Sequence, residues 1–141
     1  MQCAFAFLTL FAWNIWAKVP EATPSEIFAK AQVVALGRVS SDEQQGLKFD
    51  LAEVFKGPFM VGTELPLCAS SDLEGAQFSV GQEAIVFLRT AGTCYETVLG
   101  YRGYVRTSDD DVLTGSLRGQ PERTPRAAFL SAMRQLARVK R

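Results

Sequence analysis

The chain has 141 residues, 15 basic and 15 acidic side chains, no histidine and 48% hydrophobic residues, a balance that suits one folded domain and excludes a disordered chain. Without histidine there is no Ser-His-Asp triad, no Cys-His pair and no histidine-rich zinc site.

The opening "MQCAFAFLTLFAWNIWA" has no charged side chain and is shorter than the ~20 residues a membrane-spanning helix needs. It reads as a secretory signal, residues 1–17, with Ile15 and Ala17 as the −3 and −1 positions and a mature start at Lys18. A chain in which residues 1–17 stay on as a membrane tether is the alternative, because the segment lacks the usual basic start. Export places the protein outside the cytoplasm, secreted or periplasmic, with no integral span after cleavage. It also leaves two cysteines, Cys68 and Cys94, in an oxidising compartment, where one bond between them is the expectation. Such a bond closes a loop of about 25 residues and adds ~3 kcal/mol on the chain-entropy model.

Thr23 and Glu26 make a capping box with Pro24 at the first helical position, which predicts a short helix with Ile27 and Phe28 on its apolar edge. "AQVVALGRV" (31–39) reads as a buried strand ended by the polar turn "SSDEQQG". "LKFDLAEVF" (47–55) alternates at Leu47, Phe49 and Leu51 and then changes phase at Val54, which predicts a β-bulge near Ala52 or Glu53. After the turn "KGP", "GTELPLC" is a third strand that Pro66 consigns to an edge. "ASSDLEGA" is a loop, and "EAIVFL" (83–88) is a fourth strand. "CYETVLGYRGYVRT" (94–107) holds one or two more strands interrupted by Gly100 and Gly103. "SDDD" is a turn, "VLTGSL" a short strand and "RGQPERTP" a linker. The last helix, about 125–139, is predicted with Thr124 as cap, Pro125 at its first position and Phe129, Met133 and Leu136 in one stripe. Short strands with frequent turns and a helix near each end favour a mainly β fold with flanking helices, an OB-like small antiparallel β-barrel, over a parallel α/β sheet. Residues 18–141 form one such domain.

"AQVVALGRV", "FDLAEVFKGP", "FSVGQEAIVFL" and "GTC" together resemble the netrin-module and tissue-inhibitor-of-metalloproteinase-like domains, over roughly residues 27–94, with the look of small exported bacterial proteins. The resemblance implies an OB-fold barrel flanked by helices. It also implies, for the inhibitors, a mature N-terminal cysteine that chelates the peptidase zinc, and here the expected mature start is Lys18. Zinc-peptidase inhibition by that mechanism is therefore not expected.

The remaining constellations are weak as chemistry. No lysine stands in a Ser-x-x-Lys context. Glu96 near Cys94 would raise the pKa of a thiol nucleophile. Asp109, Asp110 and Asp111 are consecutive, without the alternating ligand spacing of a calcium loop, and read as a plain turn. Neither a metal, a cofactor nor a set of catalytic residues is implied. "YRGYVR" interleaves Tyr101 and Tyr104 with Arg102 and Arg106; on an OB-like face this could stack against nucleic acid, a partner that export and zero net charge argue against. From Arg118 to the end Glu122 is the only acidic residue, and Arg134 and Arg138 fall in the final helix, where the last-turn cations complement its dipole. The expectation is a non-enzymatic binding module whose partner, an unknown protein or an anionic envelope component, meets Tyr101, Arg102, Tyr104, Arg106, Arg134 and Arg138. An inhibitor of an envelope or extracellular peptidase, acting without an N-terminal cysteine, is the other reading.

Overall fold

The computed structural model describes residues 19–42, 46–69 and 77–139. The expected secretory segment and its cleavage site lie outside the described residues, as do most of the "ASSDLEGA" loop and the last two residues. Among the described residues no helix is long and apolar enough to cross a membrane.

Helix α1 (Pro24–Lys30) starts as the capping box predicts: the Glu26 amide donates to the Thr23 hydroxyl at 3.3 Å, and that hydroxyl donates to the Glu26 carboxylate at 3.0 Å. Two long strands follow, β1 (Val33–Asp42) and β2 (Gly46–Lys56), then β3 (Glu64–Pro66), β4 (Glu83–Ala91) and β5 (Cys94–Thr97). They form one antiparallel sheet in the order β3-β2-β1-β4-β5. β6 (Tyr104–Arg106) also pairs with β4, beside its first residues, whereas β5 pairs with its last ones. A 3-10 turn, Gly100–Gly103, separates β5 from β6, so the glycines of that segment do split it into two strands. Pro66 lies on the edge strand β3, where its missing N–H leaves no ladder bond unmade.

The β1–β2 register explains the change of phase. Between Leu36↔Glu53 and Gly37↔Leu51, β2 holds the unpaired Ala52; between Val34↔Lys56 and Ala35↔Val54 it holds Phe55. The first irregularity is the expected bulge and the second is an addition to it. After Ala52 the strand has shifted by one residue, so Val54 joins Phe49 and Leu51 on the barrel interior while Phe55 packs with the helices. At Gly37 a Cβ would collide with the Asp50 carbonyl oxygen and approach the Phe49 ring to 2.8 Å; only glycine lets β2 cross β1 this closely.

Two bulges coil the sheet into a half-barrel until its ends meet at one corner. There Leu67 and Tyr95 form a parallel bridge, the Cys68 amide donates to the Tyr95 carbonyl at 2.9 Å, and Cys68 and Cys94 are disulfide-bonded with Cα atoms 5.1 Å apart. The fold is thus mainly β and OB-like, with helices outside the sheet. Its interior is filled by Val33, Ala35, Phe49, Leu51, Leu65, Val86 and Leu88 among others. On the opposite face Val34, Leu36, Ile85 and Phe87 pack against Ile27 and Phe28 of α1 and against Phe129, Leu130 and Met133 of the last helix, α2 (Arg126–Val139).

The C-terminal boundaries need correction. Thr124 is not the cap of α2: Thr124 and Pro125 form a two-residue strand, β8, paired with β7 (Asp111–Val112), and the helix begins at Arg126. The Thr124 hydroxyl lies 2.7 Å from that of Thr114, so this tertiary contact takes up the side chain that would have capped. "VLTGSL" is likewise strand only at Val112 and continues as turns.

Replacing Cys68 and Cys94 together by alanine releases a bond spanning 26 positions and is expected to lower stability by ~3 kcal/mol, read as a fall in the urea midpoint. A Gly37→Ala variant should lose ~3 kcal/mol or more in the same measurement, because the clash is with backbone and no rotamer relieves it.

Candidate functional site

The aromatic and arginine segment 101–106 is not one strand face. Its first residues turn and its last residues pair with β4. Leu99, in the left-handed region at φ 57°, starts the 3-10 turn, a conformation that costs a non-glycine residue ~1 kcal/mol. The turn presents Tyr101 outward, 40% exposed. The Arg102 guanidinium lies 5.1 Å from the Tyr101 ring centroid and donates to the Ser116 carbonyl, which pins the loop 113–122 to this turn.

Tyr104 differs from its expected place on the surface. Its ring is only 8% exposed and packs edge-on against Phe78 at 5.0 Å, within the barrel core. Pairing with Val86 of β4 turns the ring inward. The hydroxyl is buried beside the Ser79 backbone without a hydrogen bond of good geometry. Burial raises its pKa, and the Ser79 backbone and the Arg106 charge only partly oppose that.

Tyr101, Tyr104 and exposed Arg106 nevertheless converge on one cleft of about 500 Å³, whose other wall includes Ser116 and Glu122. The loop forming that wall is fixed by its own backbone. The Thr114 and Gly115 amides both donate to the Glu122 carbonyl, at 3.0 and 3.2 Å, and the Thr114 hydroxyl donates to the Pro121 carbonyl at 2.8 Å. The Leu113 amide donates to the Arg106 carbonyl at 2.9 Å, which ties the loop to β6. The sequence did not assign Ser116 or Glu122 to this site, because a polar turn beside a strand 10 or more positions away has no periodic signal.

The C-terminal arginines stand elsewhere. Arg134 makes a bidentate pair with Glu53 of β2, at 2.8 and 2.9 Å, and Arg138 is exposed near the end of α2. Arg118 pairs with Glu26, Arg123 with Asp111 and Arg126 with Glu83. The basic run is therefore largely met by acids from the rest of the fold, and of the six expected contact residues Arg134 and Arg138 are exposed but away from the cleft, Arg134 already paired with Glu53. No group of three or more metal-ligating side chains occurs among the described residues.

Comparison with family models, with curated proteins and with solved structures returns no match.

Two carboxylates hold α2 to the sheet. The hydrogen bond from Arg134 lowers the Glu53 pKa against the effect of burial. Burial pushes Glu83 up, but the hydrogen bonds from Arg126 and Thr107 and the Arg126 charge outweigh it, so this carboxyl also lies below its usual 4.5. Groups lowered in the folded state contribute stability that is present above 4.5 and lost as pH falls through the lower folded values. Thermal midpoints should accordingly decline on acidification below about pH 4.5. An E53Q/E83Q variant should start lower at neutral pH and decline less steeply.

Proposed function

We propose that this chain is an exported, non-enzymatic binding module on an OB-like barrel that meets an envelope partner through the cleft beside Tyr101. The observation that carries this reading is the convergence of a half-exposed aromatic ring and the exposed Arg106 on a cleft with a backbone-fixed polar wall. Such a surface offers stacking area and hydrogen bonds without ordering cost. A non-enzymatic role is supported by the absence of histidine, which removes the side chain best suited to proton transfer near neutral pH.

Burial of Tyr104 dictates the test. Tyr101→Ala with Arg106→Ala alters exposed groups only, so the melting temperature should stay within a few degrees of the parent. Capture of envelope components by the immobilised protein should fall severalfold. Undiminished capture would sink the cleft as contact surface, and robust hydrolytic activity of the purified protein would overturn the non-enzymatic reading.

One observation favours the inhibitor reading as a second possibility. Met60 and Val61, 80% and 67% exposed, project from the turn between β2 and β3, as an inserted inhibitory loop would. If this turn blocks a peptidase, inhibition across a panel of envelope peptidases should disappear in M60D/V61D; no inhibition by the parent removes the reading.

A further inference from the structure

We infer that the cleft takes a neutral saccharide, held by stacking on Tyr101 and by hydrogen bonds to the side chains around it; this rests on the reading of the cleft as the contact surface. Charge is the first argument. Arg106 and Glu122 both belong to the lining, so an anion would have the Glu122 side chain nearby and a cation that of Arg106. A polyhydroxylated neutral ligand uses both, because each of its hydroxyls donates and accepts. Ser79 and Ser116 extend the same capacity along the lining.

The second argument is the pair of tyrosines. Tyr101 offers a half-exposed ring, and the flat apolar side of a pyranose ring suits an aromatic platform held beside hydrogen-bonding groups. Tyr104 backs the lining, its ring only 8% exposed and its hydroxyl buried beside the Ser79 backbone.

Shape and rigidity fit as well. At about 500 Å³ the cleft lies within the ~300–1,000 Å³ of small-ligand pockets. Strand addition by a peptide at the sheet edge beside the cleft is obstructed at β6. The Arg106 carbonyl already accepts from Leu113 at 2.9 Å, and Thr107 is bridged to Val112.

Calorimetric titration of the whole protein with the tetramers of glucose and of N-acetylglucosamine tests the inference, with an oligogalacturonate and an acidic peptide as comparison probes. At least one neutral tetramer is expected to bind. Tyr101→Ala should weaken it about tenfold, while Tyr101→Trp, which keeps a stacking surface, should bind as the parent does. Circular dichroism establishes that both variants are folded. No heat with either neutral tetramer at millimolar concentration, or binding indifferent to Tyr101→Ala, overturns the inference. Binding of only the oligogalacturonate or the peptide, sensitive to Tyr101→Ala, overturns the neutral saccharide but leaves the cleft as the contact surface; loss of that surface shows instead as undiminished envelope capture by the double variant.

Discussion

Burial of β4 on both faces is the constraint from which the rest of the fold follows. Ala84, Val86 and Leu88 point into the half-barrel, and Ile85 and Phe87 point to the helices, all of them fully shielded. At ~25 cal/mol per Å² of apolar surface, such a run cannot remain against water on either side. A flat sheet with one wet face would waste half of it. The chain meets the demand with two separate apolar layers: the sheet curls to enclose one, and α1 and α2 cover the other.

Curling depends in turn on β2. An eleven-residue strand that stayed regular would carry its neighbours in a gentle twist only. The unpaired Ala52 and Phe55, with Gly37 permitting close crossing, bend it sharply enough for β3 to reach β5. Shifting phase at Ala52 has an electrostatic effect too. It sends Val54 inward, and Glu53 is left on the side where Arg134 of α2 receives it with two hydrogen bonds. Sheet curvature and helix docking are thereby one event.

The cleft is a by-product of the same arrangement. β4 is longer than either partner on its outer edge, so β5 and β6 share that edge and a turn must bridge them. That turn carries Tyr101 out of the sheet plane and lets Arg102 reach back to the 113–122 loop. Because the loop closes on itself through Thr114 and Glu122, the cleft has walls before any ligand arrives, which lowers the entropic cost of binding.

Patterns of apolar residues and turn residues by themselves determined the capping box of α1, the Ala52 bulge, the edge place of Pro66, the Cys68–Cys94 bond and the mainly β, OB-like character. Each of these is governed by neighbours close along the chain, or, for the disulfide, follows from the expectation that Cys68 and Cys94 are the cysteines of the folded domain. Only the tertiary structure decided the start of α2, since Thr124 is drawn from capping into a contact with Thr114, ten residues away. It also decided which members of "YRGYVR" face outward. Alternation in that segment is broken by the 3-10 turn, so Tyr101 emerges and Tyr104 sinks against Phe78. The basic run from Arg118 to Arg134 is paired for the same reason: Arg118, Arg126 and Arg134 find Glu26, Glu83 and Glu53 across 92, 43 and 81 residues, separations over which no local pattern in the sequence says who will meet whom.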